Sequence, residues 1–145
     1  MEKQPNVYLL MIGKGDLQEQ IRHQVQNLGL SDRTCMLSGR GDIPRLMKAM
    51  DVFVMPSLYE GLPFTAVEAQ VNGLKCVLSD EITKTANASG DVVYLPLAAE
   101  KALWADVIAK QAEKRSDAQN TEKVILNYDI HKEAQKLQRI YTEIV

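Results

Sequence analysis

The apolar positions of this chain change period several times, from short continuous runs to a spacing of three and four residues. Val7, Tyr8, Leu9, Leu10, Met11 and Ile12 form one continuous run ended by Gly13, which predicts a buried strand. Residues 16–28 place Leu17, Ile21, Val25 and Leu28 on one face, with Gly29 as a stop, and predict a helix. Residues 34–37 predict a second strand, closed by Ser38 and Gly39. Asp42 is the expected cap of a helix through Leu46 and Met47 to Ala49. Residues 51–55 predict a third strand, closed by Pro56 and Ser57, and residues 64–72 a helix stopped by Gly73. Residues 75–78 and 92–95 predict two more strands, and helices are expected at 99–114, 117–126 and 130–143. Strands alternating with helices in short steps predict an α/β fold: a Rossmann-like doubly wound parallel sheet flanked by helices. The polar stretch 113–122 reads as a surface excursion, and residues 1–145 as a single domain without repeats or low-complexity segments.

Composition narrows the class. A chain of 145 residues can bury a core without disulfides or metals. Its 46% apolar and 25% charged residues are those of a soluble globular protein. Lys plus Arg is 17 and Asp plus Glu is 19, so the net charge is 17 − 19 = −2, and no nucleic-acid partner is expected. Cys35 and Cys76 sit in apolar runs without metal-ligand spacing and are expected to be buried thiols in a reducing compartment. His23 and His131 are isolated and read as surface helix residues. No apolar run approaches the roughly 20 residues that span a bilayer. The first residues, Met1 to Asn6, lack a secretory pattern. The expected location is cytoplasmic, with peripheral contact to the inner face of the membrane left open.

In an open parallel sheet, ligands bind outside the carboxyl ends of the strands. Three loops leave such ends: residues 13–16, 38–42 and 56–63. The first has Gly13 and Gly15 but Gln18 where a dinucleotide fingerprint needs glycine, and no P-loop pattern is present. The third feeds the helix that begins near Phe64. The first amides of that helix lack intrahelical partners and carry its positive dipole end, which suits an anion such as a diphosphate. Pro63 fits the first turn, and Gly61 permits close approach to the backbone. Glu60 precedes the helix and Glu68 lies within it, beside Ala66, Val67 and Ala69. A carboxylate in such apolar company needs a partner, and the paired hydroxyls of a sugar or ribose would serve. By spacing alone, Glu60 reads equally as a solvated loop acid and Glu68 as a solvated or salt-bridged helix residue.

The order Val52-Phe53-Val54-Met55-Pro56-Ser57, then Glu60, seven residues, and Glu68-Ala69 resembles the donor-binding C-terminal domain of GT-B retaining glycosyltransferases of family 4, the glycosyl transferases group 1 type. The resemblance extends upstream through Gly13 and Gly15, the Leu28-Gly29-Leu30 helix end, Gly39, and Ala49-Met50-Asp51-Val52. Downstream it takes in the run from Asn72 to Ser79 and the closing Ile140-Tyr141. It covers nearly the whole chain and is closest to bacterial exopolysaccharide or capsule transferases. It implies one half of a GT-B fold and a donor site that takes UDP-sugar or another nucleoside diphosphate sugar, with no cofactor and no obligatory metal. It also implies residue roles. Glu68 would bind the ribose hydroxyls, and Glu60 would face the donor sugar as the catalytic carboxylate. Gly61, Leu62, Pro63 and Phe64 would lie by the sugar and diphosphate. Gly39 and Arg40 would lie against the base, and Gly13 and Gly15 would line the cleft.

The chain departs from the family pattern in two ways. The family's domain usually opens with a further strand and a basic pair that clamps the diphosphate, and Lys14 and Arg40 do not occupy that position. The acceptor domain that precedes it in the family is absent from this sequence, so the isolated chain is expected to be inactive, with the acceptor domain of a longer parent as its partner. Two other readings stand beside the transferase. One is a non-enzymatic truncated module that pairs with a separate acceptor-domain chain. The other is a different GT-B enzyme, such as a sugar-nucleotide epimerase.

Overall fold

The computed structural model describes residues 6–144; residues 1–5, which were read above for a secretory pattern, and residue 145 lie outside the described residues. The chain divides into two compact units, Met1–Ile43 and Pro44–Val145.

In the first unit, β1 (Leu9–Ile12) pairs in parallel with β2 (Thr34–Leu37), Leu9 opposite Thr34 and Ile12 opposite Leu37. Helix α1 (Gln18–Asn27) connects them. β2 spans the expected residues, but β1 begins two residues later than its apolar run. Tyr8 is 74% exposed and belongs to no strand, so an apolar side chain there signals no burial. The expected helical face is likewise shorter than its pattern. Ile21 and Val25 are half-buried, while Leu17 and Leu28 flank the helix as exposed caps. Cys35 is exposed rather than buried. Successive strand residues point to opposite faces, so a continuous apolar run does not require both faces to be covered.

The second unit holds the core. Its sheet has the order β3 (Val52–Met55), β4 (Lys75–Ser79), β5 (Val92–Leu95), with both pairings parallel. Helix α2 (Ile43–Lys48) leads into β3, and α3 (Phe64–Val71) crosses from β3 to β4. Helices α4 (Lys101–Ala112), α5 (Ala118–Asn127) and α6 (Ile130–Ile144) follow β5. On β4, Cys76, Val77, Leu78 and Ser79 are all buried, so this central strand is covered on both faces. α3 and α4 lie against β3 and β4, and α5 packs on α3, where Val124 is fully buried. α3 ends where expected, with Asn72 as its cap and Gly73 at φ +76°, a left-handed conformation that favours glycine. The described side chains of α6 from Ile130 to Glu143 are exposed.

Two expectations need correction. Residues 113–122 are not a simple surface excursion. The Arg115 guanidinium donates to the carbonyls of Lys48, Met50 and Asn72, and the Ser116 amide donates to the Gly73 carbonyl at 3.0 Å. Arg115 thus satisfies carbonyls at the C-terminal ends of α2 and α3. Asp42 does sit before α2, but its carboxylate is held by the Arg40 guanidinium at 2.7 and 2.6 Å.

Candidate donor site

The candidate residues fall in both units, and each unit presents its group at the carboxyl ends of its strands. In the first, β1 runs out at Ile12 directly opposite Leu37, where β2 ends, so Gly13 to Gly15 and Ser38 to Arg40 leave neighbouring strand ends. The Gly13 amide donates to the Leu37 carbonyl at 3.0 Å and joins the two turns. Gly39 has φ +63°, which favours glycine in this turn. A Cβ added at Gly13 or Gly15 would meet no heavy atom within 4 Å, so internal packing does not call for glycine at either position. Arg40 is not a free cation in this unit. Its ion pair with Asp42 raises the guanidinium further above its ordinary range and holds the Asp42 carboxyl below its own.

In the second unit, residues 56–63 leave the end of β3 and turn into α3. Pro63 is the cap, with φ −73° and no side-chain capping bond. The Ala66 and Val67 amides return to the Pro63 carbonyl at 3.0 and 3.4 Å. Among the described residues the amides of Phe64 and Thr65 meet no acceptor, so the helix start has donors to offer an anion. A Cβ at Gly61 would again meet nothing within 4 Å, which leaves the backbone there open to a ligand. Leu62 and Phe64 are exposed and Pro63 is buried. Leu58 and Tyr59, just before Glu60, are more than four-fifths exposed, at 83% and 82%.

Glu60 is half-buried, and its backbone forms an isolated parallel bridge with Ile82, beyond the end of β4. The Ser57 hydroxyl donates to its carboxylate at 3.3 Å. Glu68 takes the solvated one of its expected environments rather than the apolar one. It is exposed, and its carboxylate has no hydrogen bond or ion pair among the described residues. Ala66, Val67 and Ala69 point inward and leave it to solvent. The buried polar side chain of α3 is Gln70, whose needs the protein itself meets. Its amide nitrogen donates to the carbonyls of Ala66 and Ala86 at 2.9 and 2.7 Å. Its oxygen accepts from the Ala88 amide at 3.0 Å, and from the Ser89 amide and hydroxyl, each at 2.9 Å.

Sequence reasoning missed Ser57, Ser79 and the Ile82 bridge. Ser57 had a local signal, a hydroxyl three residues before an acid. Ser79 and Ile82 are brought to the loop by the parallel pairing of β3 with β4, which sequence spacing does not display.

Residues 1–120 match the family described as Glycosyl transferases group 1, and the chain belongs to that family. Among relatives, it is 42% identical over 105 residues to EpsF of Bacillus subtilis (strain 168), which carries a glycosyltransferase name. That match takes in 72% of this chain and 27% of EpsF. It is 40% identical over 77 residues to the Escherichia coli UDP-Gal:alpha-D-GlcNAc-diphosphoundecaprenol alpha-1,3-galactosyltransferase, covering 52% of this chain and 20% of the enzyme. The chain thus spans about a quarter of the length of these curated relatives. Among solved structures, Anabaena HepE in complex with UDP superposes with a TM-score of 0.80 at 21% identity, over 97% of this chain and 42% of HepE. The fold is therefore Rossmann-like α/β, with parallel sheets flanked by helices, as in GT-B glycosyltransferases. Among the described residues, no helix is long and apolar enough to cross a membrane.

Proposed function

We propose that residues 1–145 form the donor-binding domain of a retaining glycosyltransferase. The complete protein transfers a hexose from a nucleoside diphosphate sugar to a saccharide or lipid-linked acceptor in polysaccharide biosynthesis. The observation that carries this reading is the start of α3. Its free Phe64 and Thr65 amides, the open backbone at Gly61 and two carboxylates, Glu60 and Glu68, lie on one loop and helix at the carboxyl end of β3. HepE, of like fold, was solved with UDP, and also with UDP and glucose.

In this reading, the amides and the helix dipole bind the diphosphate and stabilise its charge as it departs. Glu68 accepts hydrogen bonds from both ribose hydroxyls. Its exposure suits that role, because the protein has not already consumed its lone pairs. Glu60 faces the donor sugar ring and helps to orient it. For the first unit, taken by itself, the proposed roles are contact with the base at Gly39 and Arg40 and lining of the cleft at Gly13 and Gly15, and Arg40 would act while paired with Asp42. The site needs no obligatory metal, and uridine is the proposed base. The protein works in the cytoplasm, with peripheral contact to the inner face of the membrane through the complete protein, whose acceptor domain supplies the other wall of the site.

Calorimetric titration with UDP tests the reading. The chain should bind UDP, and Glu68→Ala should weaken binding about tenfold, the loss of roughly 1.4 kcal/mol of charge-assisted hydrogen bonding. Absence of UDP binding at millimolar concentration, together with an indifferent Glu68→Ala, would refute the donor site.

A further inference from the structure

We propose that Ser57 is a positioning residue for the Glu60 carboxylate and that Ser79, on the neighbouring strand, holds Ser57 in place. The inference rests on the reading above that Glu60 faces the donor sugar. Glu60 lies on a loop, and a loop acid left to itself samples several rotamers. Here it is fixed from two sides.

The first route runs through side chains. The Ser57 hydroxyl donates to Glu60 Oε1 at 3.3 Å. The Ser57 carbonyl accepts from the hydroxyl of Ser79, which is fully buried at 0% exposure. The second route runs through the backbone. The Ser79 carbonyl accepts from the Ile82 amide at 3.2 Å, and Ile82, 1% exposed, bridges the backbone of Glu60. Both routes start from one residue at the end of the central strand. The register that places Leu78 opposite Met55, and so brings Ser79 beside the segment that follows β3, therefore also sets where the Glu60 carboxylate stands. A buried hydroxyl must have a partner, and Ser79 spends its donor on the loop rather than on its own strand.

The 3.3 Å contact is long for a hydroxyl and a carboxylate, whose usual separation is nearer 2.7 Å. Hydrogen bonds of this kind tighten when a ligand fills the site. Ser57 thus limits the carboxylate to one direction while leaving its other lone pairs for sugar hydroxyls. The ligand class that would sense Ser57 is a nucleoside diphosphate that carries a sugar, and not the bare nucleotide.

Two measurements on the full chain test this. Side-chain scalar couplings of Glu60 should report one χ1 rotamer in the native protein, averaging in Ser57→Ala, and recovery in Ser57→Thr, which keeps the hydroxyl. Ser79→Ala should reproduce the averaging while Ser57 is intact. Titration with UDP and with UDP-glucose should then show that Ser57→Ala loses about fivefold in affinity for UDP-glucose, with UDP unchanged and Ser57→Thr near native. A single Glu60 rotamer in Ser57→Ala, or equal losses for both ligands, overturns the proposal. If the native chain binds UDP and UDP-glucose equally, the sugar-facing role of Glu60 fails, and the couplings alone decide whether Ser57 positions it.

Discussion

The two faces of α3 treat polar groups in opposite ways. Inward, Gln70 is wholly buried and hydrogen-bonded through both its oxygen and its nitrogen to residues of α3 and of the segment 86–89. Outward, Glu68 is exposed and, among the described residues, unpartnered, and the loop and helix start bare Leu58, Tyr59 and Phe64. A buried polar group has to be satisfied by the protein or it costs the fold. An exposed carboxylate carries no such obligation and remains available to a ligand. Burial therefore separates the residue that α3 needs for stability from the residue it can devote to binding.

The largest expected effect concerns the thiols. Cys76 lies under α3, its sulfur 3.9 Å from the Ala66 carbonyl, and burial pushes its pKa from 9.0 up to about 12. The difference, 12 − 9 = 3 units, lowers its thiolate fraction about a thousandfold at neutral pH. Iodoacetamide should therefore modify Cys35 at the rate of an ordinary exposed thiol and spare Cys76 until the chain unfolds. A raised folded pKa also gives a sign. The stability Cys76 contributes is complete below pH 9 and is lost as the pH climbs towards 12. Equal labelling of both thiols at pH 7 would break the division between inside and outside.

Next comes a direct contest on the helix. Gln70→Leu keeps the volume but strands the Ser89 hydroxyl, two amides and the Ala86 carbonyl, and should cost about 3 kcal/mol in urea unfolding. Glu68→Ala should change stability by less than about 0.5 kcal/mol, since the exposed side chain it truncates has no hydrogen bond or ion pair among the described residues. Comparable losses for the two would mean that Glu68 is structural after all.

The smallest effect belongs to Asp42, a surface carboxylate that does have a protein partner. Arg40 lowers its pKa from 3.8, chiefly through their hydrogen bond. A depressed folded pKa means that the pair's contribution is complete above the unfolded value of 3.8 and is lost as the pH falls from there through the folded pKa. The thermal midpoints of native and Arg40→Ala chains should differ slightly at pH 7 and converge in acid. Because both side chains are partly exposed to solvent, 0.5 M salt should shrink the gap as well.

Much of this could be read from the chain. Strands 34–37 and 92–95 are found with the expected bounds, and the stops at Gly29 and Gly73 follow their helices. Glu60 and Glu68 were legible as candidates because the strand, the loop and the helix start are all local signals. Sequence neighbours left the environment of Glu68 open between apolar and solvated, and helix geometry decides it. At about 100° per residue, positions 66, 67, 69 and 70 share one arc and position 68 falls outside it. Arg115 was unreadable for a different reason, since its partners lie 43 and 65 residues earlier in the chain.

That span gives the Arg115 clamp a consequence for the order of assembly. One side chain ties the ends of α2 and α3 to a segment made long after both, so it rewards the chain only once two large loops have closed. A contact absent from the folding transition state leaves the folding rate nearly untouched and acts on the rate of unfolding. Arg115→Ala is therefore expected to speed unfolding in stopped-flow denaturant jumps while leaving the refolding rate nearly unchanged, the behaviour of a latch.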